Sequence, residues 1–217
     1  MADDFKAHYK EYHGDILPDC SDAPGDPVDF FHRWFDLAQK EDPLNACAMT
    51  LATVSDEGYP QARIVLLKGC SEGNFVFFSN YNSSKGQQLE QCPRAALVFY
   101  WPVLCRQVRV EGEVSKISAY LSDLYFSSRS IDSKISAIVS PQSKTIPSRQ
   151  WLTDCWQLLK EKADAGEPLS RPKFWGGYQL FAQRIEFWQG QPFRLNDRIL
   201  YTRDGVGNSW VVERLAP

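Results

Sequence analysis

Short, β-rich segments separated by turn signals fill the sequence between residues 46 and 114. Five apolar runs follow one another there: ACAMTLATVS, QARIVLLK, NFVFFSN, AALVFYW and RQVRVEGEV. The intervening DEGYP and SEGN are typical of hairpin turns, and strands this short and closely spaced predict a small antiparallel barrel. Three more strands are expected after FWGG, in YQLFAQRIEFWQG, RILYTR and SWVVERL.

Helices are expected around these strands. Asp26-Pro27 places an N-cap residue before a proline at the first helical position. The spacing of Val28, Phe31 and Phe35 then predicts one apolar stripe and a helix to about residue 40. Further helices are predicted over residues 83–91, from Ser118 through SAYLSDLYFSSR, and over residues 147–166.

The length of the chain indicates one domain. With 217 residues it can bury one substantial core, and we predict a single domain over residues 27–217. Residues 1–26 are polar and turn-rich, which predicts a partly mobile N-terminal arm. The expected fold class is therefore mainly β with flanking helices.

Charge and hydropathy exclude several classes of function. The chain has 24 basic and 27 acidic side chains and a net charge of −3, whereas a general nucleic-acid binder is expected to be basic. No apolar run approaches the roughly 20 residues that span a bilayer. The start MADDFKAHYK lacks the basic and apolar regions of a signal peptide. A cytoplasmic protein with neither nucleic acid nor membrane as a partner is predicted.

Histidine and cysteine usage limits the chemistry. All three histidines, His8, His13 and His32, lie in the first 32 residues, so the rest of the chain has no imidazole for a Ser-His-Asp or Cys-His site. The six cysteines are scattered without a C-x-x-C pair, which predicts reduced thiols and no metal site. Arg, Lys, Tyr, carboxylates or a cofactor must therefore carry any chemistry in this body.

The segment SDLYFSSRSIDSK contains the first candidate anion site. Tyr125, Arg129 and Ser133 are spaced i, i+4 and i+8, which aligns a phenol, a guanidinium and a hydroxyl if one helix continues that far. Arg offers a forked donor that suits phosphate. A solvated helix face with an incidental Tyr is the alternative interpretation of the same spacing.

Further segments offer donors for anions or polar rings. Strand alternation in RIVLLK places Arg63 and Lys68 on opposite faces, so they serve different groups unless a bulge lies between them; an edge strand with flanking charges is the alternative. Gln107 in RQVRVEG can recognise the edge of a heterocycle, because an amide both donates and accepts. Hydroxyls and cations recur in SSK (83–85) and SPQSK (140–144). This capacity, in a chain without net positive charge, predicts two phosphorylated ligands.

The stretch WQGQPFRLNDR, residues 188–198, raises the question of what its cations face. Arg194 and Arg198 are four residues apart with Asn196 between them. The stretch does not alternate as an ordinary strand does, and it is rich in cations that lose side-chain entropy when ordered. An anion or a polar ring is expected beside it.

These segments together resemble the pyridoxine/pyridoxamine 5′-phosphate oxidases. RIVLLK, FFSNYNSSKG, RQVRVEG, the YF-S-R-x-x-DS segment, V-S-x-QS, FWGG, EFWQG, RLxDR and the terminal ERLAP come in the order found in that family, over roughly residues 40–217. The resemblance implies an FMN-binding split β-barrel that forms a homodimer with flavin sites at the subunit interface. It also implies oxidation of pyridoxine or pyridoxamine 5′-phosphate to pyridoxal 5′-phosphate, with electrons passing to oxygen to give hydrogen peroxide.

The resemblance further implies roles for individual positions. The substrate phosphate is expected at Lys68, Tyr125, Arg129 and Ser133. Arg194 and Asn196 are expected over the substrate ring, as the catalytic residues. FMN is expected at Arg63, Ile64, Val65, Leu66, Lys68, Phe78, Ser79, Ser84, Lys85, Gln107, Gln142, Ser143, Trp188 and Arg198.

The chain departs from the family pattern at three positions. Asn196 stands where a His is expected, and Ser84 where an Arg is expected near the FMN phosphate. In the arm, Tyr9 stands where an Arg that helps to close the site is expected, although Tyr12 keeps the neighbouring Tyr. An amide can hydrogen-bond a ring substituent but cannot exchange a proton at neutral pH. Slower turnover and weaker FMN retention are expected, and the alternatives are a paralogue that binds FMN or pyridoxal phosphate without turnover, or another split-barrel flavoenzyme.

Overall fold

The computed structural model describes residues 12–205 and 209–217. In that part of the chain, nine strands join in one sheet with the order β2-β1-β5-β6-β7-β4-β3, and β8 pairs with β7 and β9. The pairs β3–β4, β4–β7, β7–β8 and β8–β9 are antiparallel. The strands are β1 Ala48–Val54, β2 Pro60–Leu66, β3 Gly69–Ser71, β4 Asn74–Asn80, β5 Arg94–Trp101, β6 Arg106–Lys116, β7 Trp175–Gln189, β8 Asp197–Arg203 and β9 Trp210–Arg214.

Five α-helices accompany the sheet in the described residues, which confirms the predicted mainly β fold with flanking helices. They are α1 Pro27–Glu41, α2 Ser84–Gln91, α3 Ala119–Ser128, α4 Ile131–Val139 and α5 Arg149–Asp164. The α1 helix begins as predicted, because the Asp26 carboxylate accepts the N–H of Val28 at 2.8 Å. Serine hydroxyls accept a backbone N–H at the start of each other helix: Ser83, Ser118, Ser130 and Ser148.

The single helix that would align Tyr125, Arg129 and Ser133 on one face does not form. The α3 helix ends at Ser128, and Arg129 adopts an extended conformation with φ −72° and ψ 153°. Ser130 then caps α4, where its hydroxyl accepts the N–H of Ser133 at 3.3 Å. A serine hydroxyl that captures a backbone N–H favours a new helix start over continuation, so two helices replace one.

Two compact units are distinguished within the chain, each with its own aromatic core. In the α1 unit Phe31 packs against Phe99, with ring centroids 5.1 Å apart. In the α2–α5 unit Phe77 stacks on Tyr178 at 5.4 Å. The single domain over residues 27–217 stays a prediction. The α1 unit comprises residues 1–50, 96–112 and 182–217, and the α2–α5 unit comprises residues 51–95 and 113–181.

The predicted arm is described from Tyr12 onward, and Tyr9 lies outside the described residues. Leu17 is buried, and the hydroxyl of Tyr201 donates to the Pro24 carbonyl at 2.9 Å. These contacts fix the later part of the arm within the α1 unit. No helix of the described residues is long and apolar enough to cross a membrane.

Candidate functional site

A cavity of about 470 Å³ in the α2–α5 unit gathers many of the predicted site residues. They come from the end of β2, from β4, from α3 and α4, and from the loop after α4. Ser130 and Trp175, which the sequence reading did not assign, complete the lining. The predicted residues in this cavity are Leu66, Lys68, Phe78, Ser79, Tyr125, Arg129, Ser133 and Gln142.

The break between α3 and α4 directs the candidate phosphate-binding residues into the same cavity. Tyr125 lies on the last turn of α3, Arg129 in the break and Ser133 in the first turn of α4. All three line the cavity together with Lys68, whose N–H donates to the Val76 carbonyl at 2.8 Å just beyond β2. The structure therefore brings these four residues to one cavity through a helix break, and their role in binding a phosphate stays a prediction.

Aromatic rings form one wall of this cavity. Phe78 stacks on Tyr125 with ring centroids 3.8 Å apart and planes 21° apart. Trp175 lies 6.2 Å from Tyr125 with the two planes 5° apart. The Arg129 guanidinium carbon lies 4.6 Å from the centroid of the Trp175 ring. A stacked aromatic wall beside a guanidinium suits a planar ring that carries an anionic group.

Arg129 is the cation of this cavity with an unmet hydrogen bond. Its Nη1 atom is buried and has no hydrogen-bond partner among the described residues. Burial lowers the pKa of Arg129, an effect that Tyr125 partly opposes. None of the ion pairs in the described residues includes Arg129. Because buried polar atoms nearly always have a partner, the arrangement fits an anionic ligand such as a phosphate.

Lys85 is a second largely buried cation of this unit, and it contacts Gln142 of the cavity. Lys85 Nζ donates to Gln142 Oε1 at 3.1 Å, and the Ser79 hydroxyl donates to the same oxygen at 3.2 Å. Burial lowers the pKa of Lys85, and the positive charge of Arg63 lowers it further. No described ion pair includes Lys85. These residues fit a second phosphate, as a phosphorylated cofactor of the FMN type requires.

Arg63 is held by neutral acceptors within the same unit. Its guanidinium donates to the Leu51 carbonyl at 3.3 Å, to Thr53 Oγ1 at 2.5 Å and to Gln88 Oε1 at 3.3 Å. Burial lowers the pKa of Arg63. Arg63 does not line the cavity that contains Lys68, and the binding of different groups by these two cations stays a prediction. No role was predicted for Thr53, although a polar residue at an inward-facing position of β1 could have indicated a buried hydrogen-bond partner.

The other predicted cofactor residues of this unit differ in exposure. Ile64 is 64% exposed and Val65 is half-buried. Ser84 is exposed at the first residue of α2, next to free backbone N–H groups. Ser143 has a left-handed φ of 69° in the loop after α4. Their roles stay predictions.

Trp175 is the site residue that the sequence could have indicated. It is the second residue of the motif FWGG, in which two glycines allow close packing. A Cβ on Gly176 would lie 2.1 Å from the Tyr81 hydroxyl oxygen, and a Cβ on Gly177 would lie 2.4 Å from Ile117 Cδ1. The start of β7 can therefore approach its neighbours only with glycine at these positions.

A larger cavity of about 670 Å³ lies in the same unit and shares Arg129, Gln142 and Trp175 with the first. Its remaining lining comes mostly from α4, α5 and the loop between them, including Arg149 and Trp156. Arg149 does not line the smaller cavity. It is therefore a useful reference cation for tests of Arg129.

Five predicted residues belong to the α1 unit instead. Gln107 lies on the half-exposed face of β6, whereas Val108 on the opposite face is buried. Trp188 meets the ring of Tyr12 edge-on, with centroids 5.8 Å apart. Arg194 is the last residue of a short 3-10 turn, Pro192–Arg194, and Asn196 lies directly before β8.

Arg198 is compensated by a buried carboxylate that the sequence reading did not single out. Its Nε donates to Glu186 Oε1 at 2.9 Å, and its Nη1 donates to the Ala216 carbonyl at 2.8 Å. Arg109 donates to the other oxygen of Glu186 at 3.2 Å. The Glu186 side chain is 9% exposed, so this acid orients two guanidinium groups from within the unit.

Comparison with known families gives consistent matches along the chain. Residues 38–154 match the family model described as Pyridoxamine 5′-phosphate oxidase. Residues 175–217 match the one described as Pyridoxine 5′-phosphate oxidase C-terminal dimerisation region. A Pyridoxine/pyridoxamine 5′-phosphate oxidase from Legionella pneumophila (strain Lens) is 48% identical over 215 residues, 97% of each chain. One from Pseudomonas paraeruginosa (strain DSM 24068 / PA7) is 49% identical over 213 residues, 96% of each chain.

Two solved structures are similar over nearly the whole chain. PhzG from Burkholderia lata 383, in complex with tetrahydrophenazine-1-carboxylic acid, has a TM-score of 0.86 at 27% identity and covers 94% of this chain and 99% of its own. A pyridoxamine 5′-phosphate oxidase-related, FMN binding protein from Nostoc punctiforme has a TM-score of 0.73 at 18% identity, with 90% and 100% covered. The predicted split β-barrel fold class is confirmed by these likenesses.

Proposed function

The chain belongs to the pyridoxamine 5′-phosphate oxidase family, and from that membership we propose its reaction. It is an FMN-dependent oxidoreductase that converts pyridoxine 5′-phosphate or pyridoxamine 5′-phosphate to pyridoxal 5′-phosphate. When bound, FMN supplies the acceptor for the hydride that leaves the C4′ carbon of the substrate, and dioxygen takes the electrons. Pyridoxine 5′-phosphate and dioxygen give pyridoxal 5′-phosphate and hydrogen peroxide; the amine substrate also consumes water and releases ammonia.

The substrate phosphate binds at Arg129, with Lys68, Tyr125 and Ser133 around it. The observation that carries this assignment is the buried Arg129 Nη1 without a hydrogen-bond partner among the described residues. A phosphate oxygen supplies the missing acceptor, and the aromatic wall formed by Phe78, Tyr125 and Trp175 lies beside it. The chain thereby orients the substrate and needs no imidazole for that task.

The FMN phosphate binds near Lys85, whose burial supports the assignment because no carboxylate of residues 12–205 or 209–217 pairs with it. Arg63, oriented by three neutral acceptors, adds a fixed positive charge close by. The remaining residues that we assign to FMN are Ile64, Val65, Leu66, Lys68, Phe78, Ser79, Ser84, Gln107, Gln142, Ser143, Trp188 and Arg198.

The protein acts as a homodimer, which the match of residues 175–217 to a dimerisation region supports. We place FMN at the subunit interface and Arg194 and Asn196 over the substrate ring. A cytoplasmic location stays a prediction.

The visible spectrum of the FMN-loaded protein tests this function. Anaerobic addition of pyridoxine 5′-phosphate should bleach the flavin absorbance, and air should restore it with formation of one pyridoxal 5′-phosphate per flavin. Unphosphorylated pyridoxine at the same concentration is the control, and it should bleach the flavin far more slowly. A flavin that stays oxidised with the phosphorylated substrate would falsify the proposal.

Two other functions predict different spectra. A diverged paralogue that binds FMN without turnover, which the departures at Ser84 and Asn196 motivate, would stay yellow with either substrate. The likeness to PhzG, whose structure contains tetrahydrophenazine-1-carboxylic acid, motivates an oxidase of aromatic carboxylates. Such an enzyme would be bleached by a reduced phenazine carboxylate and would gain nothing from a substrate phosphate.

A further inference from the structure

The loop from Gln191 to Asn196 is closed at its base by a side chain. Asn196 Oδ1 accepts the backbone N–H of Gln191 at 3.0 Å. The Gln191 side chain adds a second closure, because its Nε2 donates to Asp197 Oδ2 at 3.0 Å. Inside the loop, the N–H of Leu195 donates to the Pro192 carbonyl at 3.1 Å. Asn196 is a predicted catalytic residue, and its Oδ1 atom is therefore hydrogen-bonded to the backbone of its own loop.

Two consecutive residues of this loop adopt the left-handed backbone region. Phe193 has φ 57° and ψ 15°, and Arg194 has φ 63°. Residues with a Cβ rarely adopt this region, because the Cβ approaches the next carbonyl oxygen. Two in succession persist only where the surroundings enforce them.

Packing of the neighbouring Phe193 and Leu195 side chains does not supply that enforcement. Phe193 is 83% exposed and Leu195 is 68% exposed. The hydrogen bonds at the base of the loop act directly on this conformation, because the bond from the Gln191 backbone to Asn196 spans the two left-handed residues.

We propose that Asn196 is a positioning residue for Arg194. By accepting the N–H of Gln191, its Oδ1 holds Arg194 in the left-handed conformation and so fixes the direction of the guanidinium. The inference rests on the proposed function in one respect, namely that Arg194 contacts the substrate. The effect of Asn196 on substrate use then passes through Arg194.

The rate of trypsin cleavage at the Arg194–Leu195 bond measures how often the loop opens, independently of enzyme activity. In the FMN-loaded protein, Asn196→Leu removes the acceptor at similar volume and should raise the cleavage rate about tenfold, because the loop opens more often. Asn196→Asp keeps an acceptor oxygen at the same distance and should be cleaved at a rate much closer to that of the unaltered protein. The matched control is Asn45→Leu, the same change at an exposed Asn that bonds Asp42. Equal cleavage of the Asn196→Leu and Asn45→Leu proteins would overturn the proposal.

A double-mutant cycle distinguishes positioning from direct contact. Asn196→Leu should raise KM for pyridoxine 5′-phosphate about tenfold in the unaltered protein and less than twofold in an Arg194→Met background, since residues that act as a unit are not additive. An undiminished effect in the Arg194→Met background overturns the proposal and assigns Asn196 a substrate contact of its own. If the unaltered protein forms no pyridoxal 5′-phosphate, the proposed function fails, and the trypsin comparison alone decides whether Asn196 fixes the loop.

Discussion

Two sets of cations, one in each unit, differ in how their charge is balanced. In the α1 unit, Arg106 pairs with Asp15 at 3.0 Å and Arg198 pairs with Glu186 at 2.9 Å. In the α2–α5 unit, Lys85 and Arg129 are partly buried, and no described ion pair includes either of them. Burial lowers the pKa of both. The first set holds its own unit together, whereas the second set is prepared for anions that the chain does not contain.

This difference has a thermodynamic consequence. A buried charge without a partner opposes folding, and a bound phosphate converts that cost into ligand affinity. Substitution of an unpaired cation should therefore weaken ligand binding and leave stability unchanged or improved. Loss of a paired charge should instead lower the free energy of unfolding.

Arg129→Met should give the largest effect. A phosphate that loses a buried guanidinium partner loses roughly 2–5 kcal/mol, so kcat/KM for pyridoxine 5′-phosphate should fall about 30-fold or more. Steady-state assays with the phosphorylated and unphosphorylated substrates check this, and only the phosphorylated one should respond. Arg149→Met, which alters a cation of the larger cavity alone, should change kcat/KM less than about twofold. An equal loss for both substrates would contradict the assignment of Arg129 to the phosphate.

Glu186→Gln tests the paired set. The change removes the charge shared by Arg109 and Arg198, and the free energy of unfolding should fall by about 1–3 kcal/mol, as for hydrogen bonds to charged groups. Urea denaturation of the FMN-free protein measures it. Glu111→Gln is the matched control, since Glu111 also pairs with Arg109 but is 39% exposed, and its effect should stay below about 1 kcal/mol. Equal stability of the two variants would erase the distinction between the units.

Lys85→Met should change FMN affinity and stability in opposite directions. The FMN dissociation constant should rise about tenfold, for a lost charge-assisted hydrogen bond. Because the folded pKa of Lys85 is lowered below the ordinary value of 10.5, protonated Lys85 opposes folding at pH 7. The FMN-free variant should therefore be more stable than the unaltered protein at pH 7, and the difference should vanish as pH rises through the lowered pKa towards 10.5.

Fluorescence quenching of FMN and urea denaturation at several pH values provide the two measurements for Lys85. Lys116→Met is the control, because Lys116 pairs with Glu90 at 2.6 Å on the surface. It should alter neither the FMN dissociation constant nor the pH dependence. A Lys85→Met protein that is less stable at every pH would show that Lys85 belongs with the paired cations.

Ser84→Arg should give the smallest change in ligand affinity. It adds a third cation to Lys85 and Arg129, the two that no described ion pair includes. Ser84 is exposed at the start of α2, where an added guanidinium can reach a phosphate that already meets Lys85. The FMN dissociation constant should fall about threefold, a partly solvated charge contribution of the size found at helix ends. Ser84→Lys is a second test of charge without the forked geometry. No change with either variant would exclude the FMN phosphate from this helix start.

Much of the fold could be predicted from local pattern, because strand alternation and helix caps depend on neighbouring residues. The start of α1 at Asp26–Pro27 and the serine caps of α2 and α5 are examples. The condition for Tyr125, Arg129 and Ser133 to share one helical face is not met, because Ser130 caps a new helix. A serine can extend a helix or cap a new one, and sequence spacing does not distinguish these outcomes.

The residue types of the candidate site were predictable from the sequence, whereas the pairing of its charges was not. The sequence determined by itself that the chain contains an ordered set of cations, hydroxyls and amides, with no histidine after residue 32. It also determined the strand periodicity that places Arg63 and Lys68 differently. These features are properties of residue identity and spacing along one chain.

Only the tertiary structure decided which cations are neutralised. Glu186 and Arg198 are twelve residues apart along the chain. They meet because β7 and β8 pair in the register Glu186↔Leu200. Arg129 keeps a buried atom that has no partner in the described part of the chain, because a helix break turns the side chain towards Trp175. The Asn196 carbonyl likewise binds its own loop. Charge compensation depends on distances through space and on burial, which strand register and helix breaks set.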